Sequence, residues 1–151
     1  MAHKPTGLFK VALKAPSQLY RVHLSFLFGT RFLMNEHRGR RSGSLYRTVV
    51  EIAGQLSGEW ICTSGTGPGA DWYRNLRAGG LEAIWIGAKR YHASVRFLDS
   101  AEAADVMLQY ERAHPRAAPK LYDIMGVSYD GSAADLVRMM AGIPMVGFRV
   151  A

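Results

Sequence analysis

"HRGRRSGSLYRT", residues His37 to Thr48, places four arginines around two glycines and two serines. The apolar run "FLM" precedes it and the strand-like "VVEIA" follows, so the stretch reads as the turn of a β-hairpin. Such a turn needs glycine for its backbone and serine for local hydrogen bonds. It does not need Arg38, Arg40, Arg41 and Arg47. Backbone N–H groups of a tight Gly/Ser turn can face an anion, and arginine forks add bidentate, charge-assisted hydrogen bonds. The residue types therefore favour a phosphate or carboxylate site over a merely solubilising surface. A nucleic-acid backbone would use the same groups.

Working outward, "FLMNEH" (32–37) and "LYRTVVEIA" (45–53) are the two strands of the hairpin, and "GQLSGEWICTS" (54–64) adds a third after a Gly/Ser turn. "GPGADWYRNLRAGG" (67–80) reads as a short helix opened by Pro68 and closed by glycines. Two strands follow. In the second, "KRYHASVRFLD" (89–99), the apolar Tyr91, Ala93, Val95 and Phe97 alternate with Arg90, His92, Ser94 and Arg96, as in a sheet with one wet face. A capping box of Asp99 and Glu102 starts a helix running to about His114, and Pro115 ends it. Further helices are expected over 117–125 and 132–140, before Gly142 and Pro144 release the chain into "PMVGFRV" (144–150). Ahead of the hairpin, Leu19, Tyr20, His23, Leu24, Phe26 and Leu27 recur at helical spacing and predict an amphipathic helix over about 17–32. Helices grouped around a run of short, mostly antiparallel strands give an α+β class with a small barrel or curled sheet.

The chain has 151 residues, 48% apolar and 21% charged, which suits one domain over 1–151 with a single sizeable core; neither linker nor repeat divides it. Cys62 is the sole cysteine, so no intramolecular disulfide is available and a reducing, cytoplasmic compartment is expected. The first residues lack the long apolar core of a secretory signal, and the most apolar stretch, "VHLSFLFGT", stops at Arg31, short of the ~20 residues that span a bilayer. The net charge of +7 is unevenly placed: residues 1–50 hold nine Lys/Arg against Glu36 alone, while the remainder is close to neutral. A positive amino-terminal third attracts phosphates, acidic small molecules or anionic lipid.

Ser64 to Trp72, "SGTGPGADW", matches the letter of the dinucleotide fingerprint through Gly65, Gly67 and Ala70. The acid that fingerprint requires at the end of the next strand is missing, since Glu82 lies at that strand's beginning. A glycine-rich loop feeding a helix remains, and such a loop suits an anion in any fold. The five histidines show no metal-ligand spacing, no nucleophile elbow or Walker sequence occurs, and no metal is expected. Met107, Met125, Met139 and Met140 read as core fillers on helices. Trp72 and Asn75, three apart on one helix, share a face.

Taken together, "HRGRRSG…RTVVEI", "TSGTGPGADWYRNLRA" and the final "VGFRV" resemble the deazaflavin-dependent nitroreductase and quinone reductase family of actinobacteria. The likeness runs from about Leu19 to the carboxyl terminus. It rests most on the G-R-[RK]-S-G turn at Gly39 to Gly43 and on the W-x-x-N helix at Trp72 to Asn75. The resemblance implies a split β-barrel, similar to FMN-binding pyridoxamine phosphate oxidases, with flanking helices. It implies coenzyme F420, which carries a phosphate and an oligoglutamate tail, with FMN the weaker fit. By the same matching, Arg40, Arg41 and Ser42 grip the phosphate and tail, and Gly43, Arg47 and Thr48 are further cofactor-binding candidates. Val49 and Val50 lie along the ring, Ser64, Gly65, Thr66 and Gly67 offer it backbone donors, and Trp72 and Asn75 close the site. The family commonly has arginine where this chain has Tyr46, and strand alternation points Tyr46 and Arg47 to opposite faces.

The function implied is hydride transfer from the reduced deazaflavin to an electron-poor hydrophobic acceptor, a quinone, nitro compound or activated alkene. The cofactor would carry the chemistry while the protein orients and excludes water. Tyr122, on the helices expected over the barrel mouth, is the candidate hydrogen-bond donor to substrate, ahead of Tyr110. The amphipathic helix suggests contact with a membrane surface, and related split barrels imply a homodimer. A split barrel that holds a lipid or flavin-type cofactor without turnover is the alternative. Nucleic acid is not expected as a partner, since the usual recognition modules are absent.

Overall fold

A computed structural model describes residues 32–64 and 67–151; the expected helix over 17–32 lies outside them, except that Phe32 opens the first strand. The hairpin forms as its sequence suggests. β1 (Phe32–Arg38) pairs antiparallel with β2 (Leu45–Leu56), from Phe32 opposite Glu51 to Arg38 opposite Leu45. The turn between them is closed by the Gly39 N–H donating to the Ser44 carbonyl, with Gly43 at φ 70°, the left-handed region where a side chain is disfavoured.

β2 runs twelve residues, past the expected end at Ala53. An irregularity between Ile52 and Gly54 bends it, so that its first half pairs with β1 and its second with β3 (Glu59–Thr63). Ser57 and Gly58 join β2 to β3 with φ of 51° and 78°, the pair of positive values that a two-residue turn matching strand twist requires. β4 (Leu81–Ile86) lies on the other side of β1, and β7 (Met145–Val150) pairs with β3.

The expected strand over 89–99 is divided. Lys89–Tyr91 forms β5 on the edge of β4, Ala93–Phe97 forms β6 on the edge of β7, and His92 separates them. The resulting order is β5-β4-β1-β2-β3-β7-β6. Two strands consecutive in the chain thus end the sheet at opposite sides, so the sheet must curl until its edges meet at His92. The Ala151 N–H donates to the His92 carbonyl at this seam. Alternation persists through the bend, so the hydrophobic pattern carried no sign of it.

Inside the curl, Leu33, Val50, Cys62, Ile84, Val146 and Phe148 form the barrel core. The next residue along a strand faces the other way: Ile61 and Met145 leave the barrel and meet the helices. These are α2 (Ser100–Ala113), α3 (Ala117–Met125) and α4 (Ala133–Met140); the earlier α1 (Asp71–Arg77) packs on the barrel instead, through Trp72 and Leu76. The Asp99–Glu102 capping box forms in both directions, at 2.8 and 3.2 Å. Met107, Met125, Met139 and Met140 are all buried, each worth about 1.5–3 kcal/mol of burial. The fold is therefore α+β, a curled antiparallel split barrel with flanking helices. No helix among the described residues is long and apolar enough to cross a membrane.

Candidate functional site

The hairpin turn, the barrel-facing side of β1 and β2, and α1 meet in one place. On β1, Asn35 and His37 point into the barrel because their neighbours Glu36 and Arg38 point out. His37 is buried. Its Nε2 lies 3.1 Å from Thr48 Oγ1 and its Nδ1 lies 3.0 Å from Asn75 Nδ2. The Asn75 Oδ1 accepts from the Arg40 backbone N–H at 3.1 Å and from Arg40 Nη1 at 2.8 Å. The Arg40 guanidinium also pairs with Asp71 at the start of α1. A polar line thus runs Thr48, His37, Asn75, Arg40, Asp71, and the short helix α1 supplies two of its five members.

Burial pushes the His37 imidazole down to about 4, partly offset by the Asp71 carboxylate, so the ring is neutral near pH 7. Tyr46 stacks on it with ring centres 5.9 Å apart, and the Tyr46 hydroxyl lies 3.4 Å from Ser42 Oγ. Asn35 donates to the Thr48 carbonyl, while its Oδ1 is, among the described residues, the one buried side-chain polar atom with no partner.

The arginines of the opening stretch divide sharply. Arg38 pairs with Glu82, Arg40 is held as above, and Arg47 pairs with Glu36. Arg41 is exposed and no partner for it occurs among the described residues. The backbone donors divide the same way. Gly39, Arg40, Gly43 and Ser44 N–H groups are spent within the turn or on Asn75, leaving those of Arg41 and Ser42 without an acceptor among the described residues. One free guanidinium beside two consecutive free N–H groups is an anion-binding arrangement.

Not every expected residue joins it. Arg47 lies on the opposite face, where it and Arg90 bracket the buried Glu36, whose carboxylate also accepts from Trp85 Nε1 at 2.6 Å. Burial alone would raise the Glu36 pKa, but the Trp85 and Arg90 bonds and the two guanidinium charges hold it below the usual range. Alternation splits the valines too: Val50 faces the barrel core and Val49 the outer side, against Met34. Trp72 is buried in the barrel core with Leu33 and Val50, and Asn75 alone of that pair reaches the turn. In the glycine-rich loop the Ser64 hydroxyl donates to the Gly67 carbonyl at 2.6 Å, its N–H to Pro144 and the Gly67 N–H to Ser64. Gly65 and Thr66 lie outside the described residues.

Tyr122 belongs to another region. Its hydroxyl donates to Glu111 Oε1 at 2.5 Å, and Tyr129 donates to both oxygens of the same carboxylate at 2.7 Å. Burial and then the Glu111 bond push the Tyr122 phenol up, so it keeps its proton. These groups line a cleft of about 450 Å³ among the helices, together with Pro115, Pro119 and Asp123. Tyr110 is buried in the helical core.

His37 and Asp71 are the site residues that sequence patterns do not single out. The available signal was parity: Asn35 and His37 share a strand face, and the hairpin register sets them opposite Thr48 and Tyr46. No group of three or more His, Cys, Asp or Glu side chains able to hold a metal occurs among the described residues.

No protein-family model matches this chain, and no curated protein does. Solved structures do. One described as an F420-H2 dependent reductase (FDR-A) matches with a TM-score of 0.52 at 16% identity, covering 79% of this chain and 94% of its own. Another, described as a domain-swapped dimer, matches with a TM-score of 0.53 at 15% identity, covering 89% and 99% respectively. A third, from Clostridium acetobutylicum and described as of the pyridoxinephosphate oxidase family, reaches a TM-score of only 0.44 at 9% identity over 88% of this chain and 84% of its own, and bears no weight here. At such identities the likeness is one of fold, and the fold is that of the split β-barrels.

Proposed function

We propose that this chain is an F420-dependent oxidoreductase, passing a hydride from the reduced deazaflavin to an electron-poor hydrophobic acceptor. The observation that carries the reading is the pairing pattern of the arginine turn. Among the described residues, Arg41 and the N–H groups of Arg41 and Ser42 are left without partners in a turn whose other backbone N–H groups, from Gly39 to Ser44, are all used. An exposed donor set of that kind fits the phosphate and oligoglutamate tail of the coenzyme, and the fold shared with a structure described as an F420-H2 dependent reductase supports the same reading. When bound, the coenzyme supplies the hydride chemistry.

The protein's own groups do the rest. Arg41 and the two N–H groups hold the anionic end. Asn75 fixes Arg40, which keeps the turn closed against α1. Tyr46, 48% exposed beside Ser42, offers a flat, partly apolar surface at the edge of the turn where the family arginine would stand. The Tyr122 proton is committed to Glu111, so a direct role in protonating substrate requires that bond to break. This commitment favours, as a second reading, a protein that binds the cofactor without turnover.

Titrating the chain with oxidised F420 and, in parallel, FMN, following tryptophan quenching, tests the proposal. Preferential F420 binding followed by oxidation of the reduced coenzyme with a quinone or nitroaromatic acceptor is expected. Binding without oxidation by any acceptor selects the second reading, and binding of neither cofactor defeats both. A homodimer is part of the proposal; light scattering at one subunit's mass overturns that part alone.

A further inference from the structure

The hydrogen bonds around His37 leave no freedom in the assignment of its proton. Arg40 brings only donors to Asn75, its backbone N–H and its guanidinium, so the Asn75 carbonyl oxygen must face Arg40. The Asn75 NH2 must then face His37 and donate to Nδ1. A ring nitrogen that accepts carries no proton, so the neutral ring is protonated at Nε2 and donates to Thr48 Oγ1. Each step is forced by the one before, starting from a side chain that cannot accept.

We infer that His37 is a positioning residue for the anion-binding turn: its neutral ring fixes the Asn75 amide, Asn75 fixes the Arg40 backbone, and protonation of His37 turns the amide and releases the Arg40 N–H, leaving the guanidinium on Asp71. A doubly protonated ring has a donor at Nδ1 and requires the Asn75 oxygen. The rotated amide would then present its NH2 to the Arg40 N–H and guanidinium, donor against donor. The inference rests on the reading of the turn as an anion site, and it makes a prediction that simple electrostatics reverses. Adding a positive charge behind the turn should strengthen anion binding as pH falls, whereas the relay weakens it.

The groups facing the ring set its response. Asp71 on α1 favours the charged form, while burial opposes it; the Arg40 guanidinium stands beyond Asn75. Tyr46 and Thr48 on β2 are neutral, and β4 places Leu81 opposite His37 in register, with its neighbour Glu82 already paired to Arg38. Burial prevails, with the imidazole near 4, so the relay stays in its holding state at neutral pH.

Nitrogen NMR on the whole chain tests this without a coenzyme, with sulfate as the probe ion because it remains a dianion across the range used. At neutral pH the expected result is the Nε2–H tautomer of His37 and a slowly exchanging Arg40 amide. His37→Gln, whose side-chain oxygen can accept from Asn75, should keep that protection; His37→Leu should lose it about tenfold with the amides at the far end of β1 unchanged. On acidification toward about pH 4, sulfate shifts at the Arg41 and Ser42 amides should weaken in the natural chain and stay level in His37→Gln. Asn75→Asp, whose carboxylate can accept from Arg40 and from His37 alike with no amide to turn, should hold Arg40 from neutral pH to about pH 5. The Nδ1–H tautomer, unchanged Arg40 exchange in His37→Leu, or sulfate binding that tightens in acid overturns the inference. If sulfate binds at no pH, the anion reading fails, while tautomer and exchange still decide the relay.

Discussion

Two arginine-rich regions of this molecule have opposite outcomes. At the far side of the sheet, Glu59 of β3 is buried and takes three hydrogen bonds from Arg96 of β6, which also clasps Glu102 at the start of α2; Arg149 of β7 lies 3.9 Å from the same carboxylate. Every charge there faces an opposite one. In the hairpin turn, Arg38, Arg40 and Arg47 are likewise paired, but Arg41 is not. The first region ties four elements together, and the second keeps one charge in reserve. Counting arginines does not separate a staple from a site; following each one to its partner does.

The contrast can be broken most strongly where the site is docked. A Cβ on Gly80 would stand 2.6 Å from the Arg38 carbonyl and 2.9 Å from that of Asn75, so Gly80→Ala must push α1 off β1. A loss of about 3 kcal/mol in denaturant unfolding is expected, and the hydrogen bonds that tie Arg40 to Asn75 should break with it. Glu59→Gln removes the charge and one of the two acceptor oxygens at the centre of the staple and should cost about 2 kcal/mol, leaving anion binding at the turn intact. Arg41→Ala should do the reverse: stability within about 0.5 kcal/mol of the natural chain, and coenzyme affinity down about tenfold. Equal effects of these two substitutions on binding would erase the distinction.

The smallest expected effect is on pH dependence. The folded-state value of His37 is lowered from 6.5 to about 4, so the unfolded chain takes up the proton first. Its contribution is complete above the unfolded value and is lost as pH falls through the window between the two. From about pH 7 to about 5.5 this removes about 1 kcal/mol, visible as a falling Tm that should be shallower in His37→Gln. Glu36 acts with the same sign lower in the scale, since protonating it discards the bonds from Trp85 and Arg90.

The sequence showed the hairpin, the capped helix after Asp99 and the arginine turn because each is written in local signals: glycine at left-handed positions, a box of two carboxylates, alternating apolar residues. It did not show the break at His92, which leaves alternation undisturbed and exists only because two sheet edges must meet. Of the residues the resemblance implies, Arg40, Thr48 and Asn75 fall in one hydrogen-bond network. The face of Arg47 and of Val49 follows from parity along β2. The role of His37 was illegible because it depends on what Asn75, thirty-eight residues later, presents to it. The expectation for Tyr122 rests on topology alone, and no local pattern in the sequence shows that Glu111 claims its hydroxyl.

The seam at His92 also governs how this molecule meets others. An open antiparallel sheet offers two rows of unpaired backbone groups to any passing strand. Here both outer strands come from one short stretch, three residues in β5 and five in β6, turned toward each other by a single residue. Among the described residues the sheet therefore presents no long, flat border for another copy to extend, and the curl that shapes the barrel guards it against edge-to-edge aggregation.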